Sequence, residues 1–264
     1  HEDNTTKLSK IVHNRRLIIA QTYFANYLSH FDFNFLFVKG DDNMRHHIDN
    51  MGQLYLFELP LILIATFYMI KDRRKEFIFI LAWLVLAPIA ASPATPNPHG
   101  NRSLPMIIAF ELMSAYGFMI LATYAISIRK FLIYPLCLAV VLSTAVYLHM
   151  YWFHYPYDMA SFWQYGYRDA ALETIKLKDN YQKIYVNSLE QAYIFWLFNT
   201  KYDPALYQKS GSRRNFDKFY FDTKPTEPNS LLVAPAEGFP SNFKVIKTIN
   251  YPDGTPVIKI GFKE

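Results

Sequence analysis

The sequence has little of what several common classes of protein require. Only one cysteine, Cys137, occurs among the 264 residues, so there is no disulfide framework and no cysteine-based metal site. Glycine-rich phosphate loops, dinucleotide-binding glycine series, zinc-protease helices and nucleophile elbows are also absent from the sequence. It shows no internal repeat or low-complexity tract. The enzyme classes that those motifs mark are therefore excluded.

A concentrated basic patch is missing as well, although the formal net charge is +5. The surplus comes largely from two short hinges between apolar runs, Lys71–Glu76 and Arg129–Lys130. Basic hinges of this kind follow the positive-inside rule and do not form a phosphate-binding surface. The sequence therefore predicts a membrane-lipid partner and no nucleic acid.

Long apolar runs are what the sequence has in excess, and they crowd between Gln53 and Phe153. A spanning helix needs about 20 apolar residues. With both hinges in the cytoplasm, the N-terminal region, the Ser92–Leu104 loop and the C-terminal part lie outside. We predict a multi-pass protein of the cell membrane, the alternative being a soluble all-helical core. The four predicted spans cover approximately residues 54–70, 77–94, 105–128 and 131–153.

The regions before and after these apolar runs have more polar sequence patterns. Residues 1–52 are predicted to form an external region with an amphipathic helix at Leu8–Tyr27, for which an ordinary surface helix is the alternative. Residues 154–264 alternate between helical and strand patterns. The predicted fold is thus a membrane all-α helical bundle followed by a small soluble α/β domain. In that domain we predict helices at Met159–Lys176 and Glu190–Asn199 and strands at Lys183–Val186, Phe216–Phe221, Ser230–Ala234, Phe243–Ile249 and Val257–Phe262.

The region before the first predicted span is dense in aromatic, acidic and histidine residues. Its segments NYLSHFDFNFLF, KGDDNMRHH and GQLYLFELP, with SPATPNPHGNRSLP, QKIYVNS and YIFWLFNTKYDPALYQ further on, resemble bacterial membrane glycosyltransferases of family 39. Those enzymes are similar to the dolichyl-phosphate-mannose protein mannosyltransferases and to the lipid A aminoarabinose transferase. The resemblance covers most of the chain.

The resemblance implies a multispanning fold, catalysis on the outer face and a polyprenyl-phosphate sugar as donor, with a protein, lipid or glycan as acceptor. It also implies that an acidic residue in the first external loop is the general base. That loop would lie upstream of His1, so we expect this chain to be a C-terminal part that is inactive alone. The sequence begins with His1 and not with methionine, which favours the same expectation.

Sugar transfer from such a donor needs cations near the departing phosphate, where negative charge develops. Residues on the predicted outer face that can supply them are Arg45, His46, His99 and Arg102. Pairing with nearby acids or lipid headgroups is the alternative role for both arginines. Asp41 could bind a sugar hydroxyl or hold Arg45, although GDDN also suits a turn, which we prefer.

Two acidic residues, Glu58 and Glu111, fall inside predicted spans. An ionisable group within a span usually faces a polar cavity or a partner, so both are candidates for substrate binding, with a position near the interface as the alternative. His46 and His47 are not expected to form a metal pair, because adjacent residues rarely converge on one ion. No cofactor is predicted, and a divalent metal stays an open alternative. The rival function is a membrane-anchored binding or assembly protein without catalysis.

Overall fold

The protein consists of a helical part followed by an α/β part, as its sequence predicts. The structure, a computed structural model, describes residues 14–128, 131, 133–211, 214–225 and 227–263. The chain divides into two compact units between Phe153 and His154. The predicted hinge at Arg129–Lys130 lies outside the described residues.

The helical unit is built from helices of unequal length. Short helical turns continue or connect them at Asn34–Val38, Ala87–Ile89 and Met150–His154. The main helices, in chain order, are α1 (Arg15–Ser29), α2 (Glu58–Lys71), α3 (Lys75–Leu86), α4 (Gly100–Ile128) and α5 (Ile133–His149).

Helix α1 overlaps the amphipathic helix that was predicted at Leu8–Tyr27. Residues 8–13 of that prediction lie outside the described residues, and the helix continues two residues further, to Ser29. The Asn14 side chain accepts a hydrogen bond from the Arg16 amide at 2.9 Å and so caps the helix. Tyr27 donates its hydroxyl hydrogen to the Val85 carbonyl at 2.8 Å, which ties α1 to α3.

Helices α2 and α4 pack against each other through a glycine. A Cβ atom at Gly117 would lie 2.0 Å from the Leu61 carbonyl oxygen, so only glycine permits this approach. Helix α4 begins at Gly100, five residues before the predicted start at Pro105. The Asp41 carboxylate accepts the Gly100 N–H at 2.6 Å. This distant side chain satisfies one of the free amides at the helix start, and its effect is not visible in the local sequence.

Two helices of the described chain are long and apolar enough to cross a membrane, Gly100–Ile126 and Ile133–Asp158. Only 28% of the most apolar stretch of the first is buried, and none of the second. The core helix of a soluble protein would be mostly buried. By contrast, α2 and α3 have 14 and 12 residues and cover about 21 and 18 Å, less than the ~30 Å hydrocarbon core.

The second unit contains a five-stranded sheet in the order β2-β1-β3-β5-β4. Strand β1 is parallel to β2 and β3, whereas β5 is antiparallel to β3 and β4. Parallel neighbours need a crossover, and helices α8 and α9 lie between β1 and β2 in the chain. The elements are α6 (Tyr155–Asp158), α7 (Tyr167–Leu177), β1 (Lys183–Val186), α8 (Ala192–Thr200), α9 (Pro204–Lys209), β2 (Phe219–Phe221), β3 (Ser230–Pro235), β4 (Lys244–Asn250) and β5 (Pro256–Lys263).

One face of this sheet carries a compact core. Trp196 of α8 is fully buried and donates its Nε1 hydrogen to the Thr174 hydroxyl of α7 at 2.9 Å. Buried apolar side chains from β1, β3 and β5 surround it: Ile184, Val186, Leu231, Val233, Ile258 and Ile260. The domain therefore has its own hydrophobic core.

Strand β1 has the bounds that the sequence predicts, but two other predictions in this unit need correction and one helix was missed. The helix predicted to begin at Met159 begins at Tyr167, because Gln164 and Gly166 have φ angles of +48° and +87°, outside the helical range. Strand β2 is shorter than predicted because Phe216 only forms an isolated bridge to Phe219. Helix α9 was not predicted.

Candidate functional site

Three polar side chains from two distant segments meet at the beginning of α4. Asp41 and His46 lie in the loop that leads to α2, and His99 immediately precedes α4. Asp41 and His99 are buried, and His46 is half-buried. We call these three residues the Asp41 site. All three were candidates from the sequence, which did not indicate that they lie together.

Asp41 is the centre of this arrangement because it accepts hydrogen bonds from both segments. Its Oδ2 atom lies 2.6 Å from His46 Nδ1 and also 2.6 Å from the Gly100 nitrogen. Its Oδ1 atom accepts the Asn43 N–H at 2.8 Å, which is the turn contact that the sequence GDDN suggests. Asp41 therefore has both the turn role and a second role in binding His46 and α4.

These hydrogen bonds decide the charge of Asp41. Burial on its own would raise the pKa of the carboxyl group, but the amides of Asn43 and Gly100 and the His46 side chain outweigh it and hold the pKa below its ordinary value. Asp41 is thus a buried carboxylate, and because a carboxylate only accepts, His46 Nδ1 carries the shared hydrogen.

His99 contributes an imidazole from the other segment. Its backbone N–H donates to His30 Nε2 at 3.3 Å, while His30 Nδ1 donates to the Asn26 carbonyl at 2.8 Å. Burial lowers the pKa of His30, so His30 is neutral, in agreement with one donating and one accepting nitrogen. Burial and the nearby Arg102 likewise lower the pKa of His99. His30 was not a candidate from the sequence.

The His99 ring faces the other two members of the site. It lies 4.5 Å from the His46 ring between centroids, with 32° between the ring planes. Its Nδ1 atom is 3.9 Å from Asp41 Oδ2. One ligand atom from each of Asp41, His46 and His99 lies within 4.8 Å of the others. The arrangement has the composition of a three-ligand metal site.

The remaining predicted residues divide between this site and a second pair. Arg45 is exposed in the loop that contains Asp41 and His46, and Arg102 is exposed in the first turn of α4, near His99.

Glu58 is buried at the start of α2 and accepts the Tyr55 N–H at 2.7 Å. Its carboxyl group interacts with that of Glu111 on α4. Glu111 lies 11 residues after Gly100, about 16 Å along the helix, so the two glutamates form a separate group.

Comparison of the chain with models of protein families, with curated proteins and with solved structures finds no match. The geometry therefore carries the functional argument together with the resemblance noted above. Chemically, the Asp41 site offers a carboxylate and two imidazoles at the end of an apolar helix, with two exposed guanidinium groups nearby. Such a set can hold a cation or bind an anionic group.

Proposed function

We propose that this chain is part of an integral membrane glycosyltransferase that takes a sugar from a polyprenyl-phosphate donor on the outer face of the membrane. The observation that carries the proposal is the position of Arg102. It is exposed in the first turn of α4, the longest apolar helix described, beside the Asp41 site. In a bilayer, the end of a spanning helix lies at the depth of lipid phosphates.

The chemistry of transfer fits this position. As the sugar leaves, negative charge develops on the lipid phosphate, and guanidinium groups stabilise it by charge-assisted hydrogen bonds. Arg102 takes this role in the proposal, with Arg45 as a second donor. The general base is an acidic residue upstream of His1, as the resemblance implies.

The proposed topology has four spans, with both basic hinges in the cytoplasm and the α/β unit outside. The first two proposed spans contain the short helices α2 and α3. In the proposal, Glu58 on α2 and Glu111 on α4 border a cavity for the donor, because ionisable groups within spans usually face a polar cavity and not lipid. The α/β unit helps to bind the acceptor.

One observation favours the second candidate, a membrane-anchored binding protein without catalysis. Helix α8 presents Ile194 and Phe198 to the surface one turn apart, and Phe198 is 80% exposed. Exposed apolar residues at this spacing suit a protein partner. In a binding protein of this kind, the membrane-spanning helices would serve only as an anchor.

Sugar transfer separates the two candidates. Membranes that contain the longer parent protein are incubated with a panel of radiolabelled polyprenyl-phosphate sugars. We expect transfer from one donor and a loss of at least about 100-fold for Arg102→Ala, the size of effect seen when one charge-stabilising donor is removed. Glu111→Ala is expected to impair transfer as well.

Arg168→Ala is the matched control, because Arg168 is an exposed arginine of the α/β unit. It should transfer like the unchanged protein. Absence of transfer with every donor, from a folded parent protein, would contradict the glycosyltransferase and favour the binding protein.

A further inference from the structure

We propose that Asp41, His46 and His99 bind a zinc ion, which joins the loop of residues 41–46 to the beginning of α4. The three residues come from segments more than 50 positions apart in the chain. Their convergence is a property of the fold and not of a local motif. This site does not depend on the proposed sugar transfer.

His99 has a side-chain nitrogen that a metal ion would satisfy. Its Nδ1 atom is buried, and no atom of the described residues is a hydrogen-bond partner for it. A buried polar atom without a partner costs about 1–3 kcal/mol. This nitrogen is directed towards Asp41 at 3.9 Å, beyond hydrogen-bonding distance. A metal ion between the two residues would use the lone pair of this nitrogen.

The distances between the three side chains fit a zinc ion after small changes. Zinc binds imidazole nitrogen and carboxylate oxygen at about 2.0–2.2 Å, so two ligand atoms of a tetrahedral site lie about 3.3–3.5 Å apart. The Asp41–His46 pair, at 2.6 Å, would open by less than an ångström, and the Asp41–His99 pair, at 3.9 Å, would close by about half an ångström. Side-chain rotations are enough for both changes.

Hydrogen bonds from the surrounding residues support the ligands. Metal-binding carboxylates are usually hydrogen-bonded by a second layer of groups that fixes their direction. Here the amides of Asn43 and Gly100 hold both oxygens of Asp41. On the other side, His30 accepts the backbone N–H of His99. These contacts position two of the three ligands from the backbone.

The ligand types favour a transition metal such as zinc over magnesium or calcium. Two imidazoles and one carboxylate suit zinc, whereas magnesium and calcium prefer oxygen ligands alone. When zinc binds, His46 Nδ1 must give up the hydrogen that it shares with Asp41, and the other ring nitrogen or the solvent takes that proton. Three protein ligands leave a fourth position for water or another ligand.

The test measures zinc directly. The chain, without a polyhistidine tag, is placed in lipid nanodiscs, stripped with a chelator and dialysed against zinc chloride or magnesium chloride. We expect about one zinc per chain by elemental mass spectrometry, as for a single three-ligand site, and no retained magnesium. Cobalt in place of zinc should give the strong visible absorption of a four-coordinate ion.

Variants locate the ion. His46→Gln and His99→Gln should each weaken zinc binding, measured by calorimetry, by more than the roughly 10–100-fold that loss of a supporting contact costs. His47→Gln is the matched control, because His47 lies in the same loop and outside the three-residue group. It should bind zinc like the unchanged chain.

Two results of the zinc-binding experiments would overturn the proposed zinc site, and neither requires a measurement of sugar transfer. A folded, unchanged chain that retains no zinc overturns the proposal, and this measurement needs no variant to fold. Equal weakening by His47→Gln and His99→Gln overturns it as well, because the zinc would then lie elsewhere. Zinc binding with no transfer activity would leave this site intact and contradict only the glycosyltransferase.

Discussion

The two units of the chain each bury a group of apolar side chains, but they expose the remaining ones to different extents. The buried group of the α/β unit includes Trp196, Ile184, Leu231 and Ile258, which have no exposed surface. In the helical unit many apolar side chains are outside, with Ile78 at 70% exposure. Other exposed apolar side chains of this unit are Leu63, Phe67, Phe79, Leu86, Ile126, Val141 and Leu142.

We propose that this contrast reflects different surroundings, hydrocarbon for the helical unit and water for the α/β unit. Water favours burial of apolar area by about 25 cal/mol per Å², which accounts for the core of the α/β unit. In hydrocarbon that driving force is absent, and helices associate by close packing of small residues. The contact of Gly117 with Leu61 is such a packing feature.

The largest expected effect on stability concerns the core of the α/β unit. Trp196→Ala removes a fully buried side chain and its hydrogen bond to Thr174. We expect the free energy of unfolding of this unit to fall by about 3–5 kcal/mol. Hydrogen exchange of the β1 and β3 amides of the whole chain in micelles, at increasing urea concentration, measures this change.

Phe198→Ala is the control from the same helix, since Phe198 is 80% exposed. It should change the stability by less than about 0.5 kcal/mol. If both variants were equally destabilised, the distinction between inner and outer faces of α8 would be wrong.

A smaller effect is expected for the helical unit. Gly117→Ala places a Cβ atom 2.0 Å from the Leu61 carbonyl oxygen, so α2 and α4 must move apart. We expect a loss of about 1–3 kcal/mol, the usual range for overpacking, measured as a lower midpoint of thermal unfolding in nanodiscs. Ala115→Leu, at an exposed position of the same helix, should leave the midpoint unchanged. A midpoint that falls only for Ala115→Leu would contradict the assignment of the Gly117 face of α4 as the one that packs against α2.

Local patterns were sufficient for much of the α/β unit. The segment KIYV combines β-branched and aromatic residues, and β1 has the predicted bounds. The start of α7 could not be predicted from the local sequence pattern. The residues before it have a helical pattern, but left-handed φ angles at Gln164 and Gly166 interrupt the helix. Helix α9 was predictable, since Asp203 caps it through the Ala205 amide and Pro204 occupies its first position.

The candidate site was predictable only residue by residue. Asp41, His46 and His99 each had a reason for selection, but nothing in the sequence shows that residues 41 and 99 are in contact. That contact depends on the packing of α2 against α4 and on the capping of α4 by Asp41. His30 was missed because it is a lone histidine in an aromatic segment, and only its hydrogen bond to His99 reveals its role.

We propose that the helical unit lies in a bilayer with its basic hinge inside and the α/β unit outside. Single cysteines at Arg74, Val141 and Asn229, in a Cys137→Ser background, test it with an impermeant maleimide on intact cells. Arg74 and Asn229 are exposed, and Val141 is 62% exposed near the middle of α5. Their reactivity therefore depends on the surroundings and not on burial in the protein.

We predict that the cysteine at Asn229 reacts in intact cells and that the one at Arg74 reacts only after the membrane is opened. The cysteine at Val141 should react only after detergent removes the lipid, because water does not reach the hydrocarbon core. Reaction at all three positions in cells of confirmed integrity would contradict the orientation. Reaction at Val141 in opened membranes, to the same extent as at Asn229, would contradict the bilayer location itself.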